Sequence, residues 1–203
     1  MNTRYFMLTM DKLRNNLVLL LLLATLPIRS EITFRGAWIA TVANIDWPKQ
    51  QTIGNTLEEQ FDMIAILDSL ESLSVNAIIF QVRPTADALY ESELEPISSW
   101  LTGKQGSWNG QEPWDPLDFV VTEAHARGME VHVWLNPYRV NLSGQSTAHL
   151  APNHIMHRHP EWFWHYGQQW YFEPGLDETR EWICDVVTDI VSRFVNFLRS
   201  ARI

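Results

Sequence analysis

Three apolar, β-branched runs punctuate this chain, and each is followed by a stretch with helical spacing. Residues 32–42, ITFRGAWIATV, are rich in β-formers and bounded by polar residues and Pro48, and so read as a first strand. Thr56 and Glu59 form a T-x-x-E capping box. Leu57, Phe61, Ile64, Leu67 and Leu70 then recur on one face, which predicts a helix to about Ser74. Residues 76–82, NAIIFQV, are almost continuously apolar, as a strand buried on both faces requires. Asp115 followed by Pro116 opens a second helix as N-cap and N1, and Gly128 closes it. Residues 129–135, MEVHVWL, predict a third strand, and Asp177 caps a third helix running towards the C-terminus. The order strand, helix, strand, helix, strand, helix implies an α/β fold on a parallel sheet, because consecutive parallel strands need crossover helices.

That order also says where a ligand would bind. Two long connections, residues 83–114 and 136–176, each follow a strand and precede a helix. They therefore lie at the carboxyl ends of the strands, the ligand-binding face of β/α folds. Loops of this length in a compact domain are usually functional or disordered, and the Trp, Tyr and Pro content of these favours function. Three clusters fall at these ends: NIDWP with Asp46 and Trp47; QVRPTADALYES with Gln81, Arg83, Asp87 and Tyr90; and WLNPYR with Trp134, Asn136, Tyr138 and Arg139. Hydrogen-bonding groups beside aromatic rings suit a polyol, whose hydroxyls need partners and whose ring faces stack. A competing reading makes Arg83, Asp87, Asn136 and Arg139 a buried ion and amide network that holds the loops. Glycoside hydrolysis needs two carboxyl groups about 5–9.5 Å apart. Asp46 and Asp87 are best placed by strand position, but either can cap a turn. No pair stands out, and no catalytic residue is assigned.

A formal net charge of −9 argues against a nucleic-acid partner, and the chain has no Walker A loop or GxGxxG. His132 alternates with Val131 and Val133, which predicts a satisfied core histidine facing a barrel interior. His154, His157, His159 and His165 crowd one loop, but their spacing matches no zinc motif, so a substrate loop is expected and neither metal nor cofactor is predicted. Cys184, the single cysteine, sits in a helical apolar pattern and is expected to be buried and inert. Lys12 and Arg14 precede an apolar run, residues 17–26, interrupted only by Thr25, so residues 1–30 read as a secretory signal or an uncleaved signal anchor. The expected location is secreted or periplasmic, with a membrane tether if the signal stays.

Four stretches, FRGAWIATVANIDWP, NAIIFQVRPTADALYESELEPISSWLTGKQG, WDPLDFVVTEAHARGMEVHVWLNPYRV and HPEWFWHYG, resemble the glycosyl hydrolase-like 10 family, formerly DUF187. The resemblance covers residues 34–193 in order. It implies an exported bacterial protein with a TIM-barrel domain that hydrolyses glycosidic bonds, with peptide-free peptidoglycan strands as the leading substrate class. The family pattern matches at Arg35, Trp38, Asp46, Trp47, Gln81, Arg83, Asp87, Tyr90, Asn136, Tyr138 and Arg139. Ile97 stands where the family pattern has Trp, so that stacking surface is lost or falls to Trp100. After the SRF of residues 192–194 the family continues with a strand resembling YDVDGIHFDDYFYP, whereas this chain reads VNFLRSARI.

The resemblance therefore predicts that residues 31–203 are the N-terminal part, about three βα units, of a TIM-type (β/α)8 barrel, cut before strand four. Three units cannot close eight strands, and strand three is left with an open edge, an aggregation hazard. The expected function is that of an N-terminal fragment of a secreted glycoside hydrolase-like protein, inactive alone. The alternatives are a carbohydrate-binding module, or a fragment that assembles with a C-terminal half encoded separately.

Overall fold

In the computed structural model, residues 33–200 are described, with side chains up to Arg193. The signal segment expected at residues 1–30 lies outside them. Strand β1, Gly36–Ile39, is followed by helix α1, Thr56–Ser72, and strand β2, Ala77–Arg83. A short helix α2, Ser99–Thr102, sits in the loop before helix α3, Pro116–Ala126. Strand β3, Glu130–Leu135, leads through a short helix α4, Ile155–Arg158, to a hairpin of β4, Phe163–Tyr166, and β5, Gln169–Phe172. Helix α5, Asp177–Ser200, follows. The sheet order is β1-β2-β3 and both pairings are parallel, with Trp38 opposite Ile79 and Ile79 opposite His132. The protein is thus α/β with three parallel βα units, the arrangement expected of part of a (β/α) barrel, and its sheet is open.

Local chemistry explains most of these boundaries. Asp115 caps α3 by accepting from Asp118 N at 3.0 Å, with Pro116 at the first turn. Gly128 takes φ 69° just past the helix, a conformation that costs other residues more. At α1 the cap is Asn55, not Thr56: its Oδ1 accepts from Glu58 N at 3.4 Å. Glu59 does not close a capping box but reaches back to Gly54 N at 3.0 Å. Strand β1 stops at Ile39, short of residue 42: Ala40 N donates to Asp46 Oδ2, and the chain turns at Val42–Asn44, with Ala43 and Asn44 at φ 54° and 52°.

One face of the sheet carries Ile39, Ile78, Phe80 and Val82, buried against Met63 and Leu67 of α1, Leu117, Val120 and Ala124 of α3, and Val186 and Ile190 of α5. The opposite face carries Trp38, Ile79, His132 and Trp134, of which Trp38 is 64% exposed. Trp38 and Trp134 meet edge to face at 5.1 Å. His132 does lie opposite Val131 and Val133, but its side chain is 48% exposed and approaches Glu130 at 3.4 Å, so it is no core histidine. Cys184 is likewise exposed rather than buried.

The β3–α5 connection is not a plain loop. It folds over a second small core, made by Val140, Ile155, Phe163 and Phe172 with Ala86 of the β2–α3 loop. The β4–β5 hairpin turns at Gly167, whose φ of 61° suits a two-residue turn.

Candidate functional site: a cleft at the carboxyl ends of the strands

Two loops build the site, and a buried network joins them. Arg83, at the end of β2, is fully buried. Its Nε and Nη2 donate to the two oxygens of Glu95 at 2.6 and 2.5 Å. Its Nη1 donates across to the carbonyls of Asn136 and Pro137 at 2.6 and 3.0 Å. One guanidinium thus ties the β2–α3 loop to the start of the β3–α5 loop. Gln81 works similarly on the other side. Its Oε1 accepts from Thr41 N and Val42 N, and its Nε2 donates to Asn136 Oδ1 at 2.9 Å.

Asp87 lies under the same loops, fully buried. Ser98 Oγ and Gln105 Nε2 donate to its Oδ2, and Thr85 N and Oγ1 donate to its Oδ1. Burial pushes its carboxyl up to about 6, while the bonds from Ser98 and Gln105 pull the other way. Arg139 donates from Nε to Pro84 O at 3.0 Å; its Nη2 is sealed from solvent with no hydrogen-bond partner, and burial lowers its pKa.

The remaining residues singled out by sequence fall as follows. Trp47 is fully buried, with Nε1 donating to Glu59 O at 2.8 Å. Tyr90 is buried in the main core. Asp46 is exposed, and its Oδ2 accepts from Ala40 N at 2.8 Å. Trp134 belongs to the open face beside Trp38. Tyr138 packs on the second core and its carbonyl accepts from Phe172 N. Most of the charged and amide groups therefore fix the loops, and the buried-network reading describes their contacts in this structure.

Above this network opens a cleft of about 880 Å³. Thr85, Ser99, Trp100, Lys104, Gln105 and Asn109 line it from the β2–α3 loop, and Asn141, Gln145, Ser146 and His149 from the β3–α5 loop. Asn44 steadies this wall by donating to the carbonyls of Pro48 and Trp100 at 3.0 and 2.8 Å. Gln105 also donates to Asp87 and accepts from Ala151 N at 2.9 Å, linking floor and both walls. None of the ten residues expected to bind substrate lines this cleft; Thr85, Ser99, Lys104 and Gln105 lie within the family-like stretches, but their residue types alone do not single them out. Trp100 was the exception, suggested by the missing Trp at position 97.

Of the loop histidines, only His154 is buried: its Nδ1 accepts from Met156 N at 3.1 Å and caps α4. Burial, with His157 and Arg83 nearby, lowers its pKa to about 4, so it stays neutral at physiological pH. Among the described residues no three His, Cys, Asp or Glu side chains gather as a metal site.

The fold and cleft define a βα-repeat protein with a polar and aromatic groove at its strand ends. The chain belongs to the glycosyl hydrolase-like 10 family, whose model matches residues 33–196. It is 38% identical over 166 residues to glycosyl hydrolase YngK of Bacillus subtilis (strain 168), covering 82% of this chain and 32% of that protein. It is 36% identical over 180 residues to glycosyl hydrolase DigH of Escherichia coli (strain K12), covering 82% of this chain and 40% of that one. The chain thus spans roughly a third to two fifths of the length of the curated relatives it matches. Among solved structures, a maltogenic α-amylase, AmyB, from Thermotoga neapolitana is similar at 15% identity and a TM-score of 0.46, over 83% of this chain and 41% of that one.

Proposed function

We propose that this chain contributes the glycan-holding cleft of an exported glycoside hydrolase-like protein, with peptide-free cell-wall glycan strands as its ligand. The observation that carries this reading is the cleft itself: Trp100 stands among hydroxyl and amide groups from two loops at the strand ends. A sugar face stacks on an indole while its hydroxyls exchange hydrogen bonds with such groups. The basic-then-apolar N-terminal sequence supports export. The reading assigns no hydrolysis to the chain alone, because no Asp or Glu is among the residues lining the cleft, and glycosidases require two carboxyl groups.

The test is retention of purified peptide-free glycan strands on the immobilised chain, beside Trp100→Ala. Retention by the wild type, reduced about tenfold in the variant, supports the reading, since an aromatic contact is worth about 0.5–1.5 kcal/mol beyond the area it buries. Equal retention by both, or none by either, overturns it. Release of new reducing ends by the chain alone would overturn the non-hydrolytic part.

A second reading, a chain that assembles with a separately encoded half, is favoured by the edge of β3. Asn136 N and Glu130 N donate towards β2, which turns the backbone groups of Val131, Val133 and Leu135 outward. Beside them an apolar groove of about 370 Å³ runs between α3 and α5, lined by Leu117, Val121, Val187, Ile190 and Val191. An added parallel strand would satisfy both the edge and the groove. Co-expression with the C-terminal portion of a relative tests it: a stable heteromer supports assembly, and two independent monomers refute it.

A further inference from the structure

We propose that the cleft recognises a carboxylate on its glycan and that Lys104 is the residue that reads it. The inference rests on the glycan reading above and narrows its ligand from any polyol to an acidic sugar.

The first ground is charge. The chain carries 15 basic and 24 acidic residues, a formal net charge of −9. Such a surface repels anions at long range. The cleft lining departs from that balance: it holds no Asp or Glu, and Lys104 is its one permanently charged side chain. A groove meant for an uncharged polyol has no need to exclude carboxylates that are common elsewhere on the chain.

The second ground is pairing. Lys49 pairs with Asp62, Arg83 with Glu95, Arg127 with Asp68 and Glu123, Arg180 with Asp177, and Arg193 with Asp189. Among the described residues the Lys104 ammonium has no such partner; Arg35, Arg139 and Arg158 also lack a carboxylate, but Arg35 and Arg139 donate to backbone carbonyls, Arg158 lies over the Trp182 ring, and none of the three lines the cleft. Its backbone is nevertheless held. Lys104 N donates to Thr102 Oγ1 at 3.3 Å, and the same hydroxyl donates to Lys104 O at 2.7 Å. The lysine stem therefore leaves a fixed point at the end of α2, the helix that also presents Trp100. A ring stacked on Trp100 brings its acidic substituent within the reach of a flexible four-carbon stem.

The third ground is that the floor does not cancel this charge. Asp87 is the buried carboxyl bonded to the floor residues Thr85 and Gln105, and both its oxygens are already occupied by hydroxyl and amide donors. The Arg139 guanidinium interacts electrostatically with it. Floor charges thus offset one another, and Lys104 remains uncompensated at the mouth.

Two glycan chemistries supply a carboxylate on a pyranose: the lactyl ether of a muramic acid residue, freed when its peptide is removed, and the C6 acid of a uronic sugar. The experiment uses the full chain and measures retention of four probes: peptide-free peptidoglycan strands, the same strands with carboxyls reduced to alcohols, a polyuronate, and uncharged chitin oligomers. The wild type is expected to hold the native strands about tenfold more tightly than the reduced ones, the scale of one charge-assisted contact. That preference should shrink with added salt. Lys104→Gln should abolish it while leaving the reduced strands and chitin bound as before, and Lys104→Arg should keep it. Lys104 is exposed, so the variants should melt with the wild type, which circular dichroism checks. Equal binding of native and reduced strands overturns the carboxylate inference and leaves the glycan reading standing. Binding of polyuronate but not of wall strands upholds the carboxylate and overturns the wall assignment. Failure to bind any of the four overturns both.

Discussion

Arg83→Met tests the loop-joining network directly. Arg83 is fully buried and the Glu95 side chain is 1% exposed, so the pair exchanges little with solvent. Removing the guanidinium leaves the Glu95 carboxylate buried without a cation, which costs about 3–5 kcal/mol. It also strips the carbonyls of Asn136 and Pro137 of their donor, at about 1–3 kcal/mol for each one left unsatisfied. The sum is at least about 5 kcal/mol, comparable with the whole stability of an ordinary domain. Arg83→Met/Glu95→Leu removes both charges together. Replacing a buried pair by apolar groups is close to neutral, so this double variant should recover about 3 kcal/mol and leave only the carbonyl deficit. Urea unfolding of the wild type, both single variants and the double variant closes the cycle. Hydrogen exchange should show protection lost first in residues 136–172, whose anchor is gone, before β1 and β2. A loss below about 1 kcal/mol for Arg83→Met, or a double variant as unstable as the sum of its singles, would refute the argument, since a coupled buried pair cannot behave additively.

Burial pushes the Glu59 carboxyl from 4.5 up to about 7, the bond from Gly54 N opposing and Asp62 adding. A raised folded-state value means the unfolded chain gives up its proton first, so stability falls as pH climbs from 4.5 towards 7 and is level above; allowing for solvent screening the loss is about 2 kcal/mol. Glu59→Gln should flatten that part of a urea-midpoint profile, leaving the smaller same-signed slope from Asp87, which is raised from 3.8 to about 6. Gly106, at φ 73°, lies where the two cleft walls touch: a Cβ there would stand 2.5 Å from Ala151 Cβ and 3.3 Å from Asn153 Oδ1. Gly106→Ala should therefore cost about 2–4 kcal/mol of stability and weaken glycan retention together, both readable on one preparation. Val133, 38% exposed on the open edge of β3, should tolerate Val133→Lys and raise the concentration at which the chain aggregates, measured by light scattering.

The layered order was legible in the sequence because burial on two faces and burial on one leave different periods. Residues 76–82 read as a strand and form β2; the 3.6-residue spacing after Asn55 reads as a helix and forms α1. What failed was local. In Phe163–Phe172, seven aromatic or histidine residues on both faces hide which side is buried; only Phe163 and Phe172 are. Cys184 sits in an apolar pattern, yet it falls on a stretch of α5 that the core does not cover, much as Val187 and Val191 remain 38% and 46% exposed.

The candidate site was legible in position and not in detail, for a physical reason. Arg, Asp, Gln and Asn at strand ends announce buried polar chemistry, because such groups are retained only when paired. The residue types do not say whether the pair is a ligand or the protein itself. Arg83 is answered by Glu95 and Asp87 by Ser98, partners in a loop whose path sequence alone does not trace. The residues that do line the cleft, such as Thr85, Gln105, Asn141 and Gln145, are ordinary surface types, recognisable only once the loops are folded against each other. The division of labour follows. Arg83 and Gln81 set where the walls stand, and other residues of the same loops line the space between them. A substitution in the first group should move stability and binding together, whereas one at Trp100 or Lys104 should move binding alone. That contrast separates a built binding cleft from a gap between two loops that happen to pack.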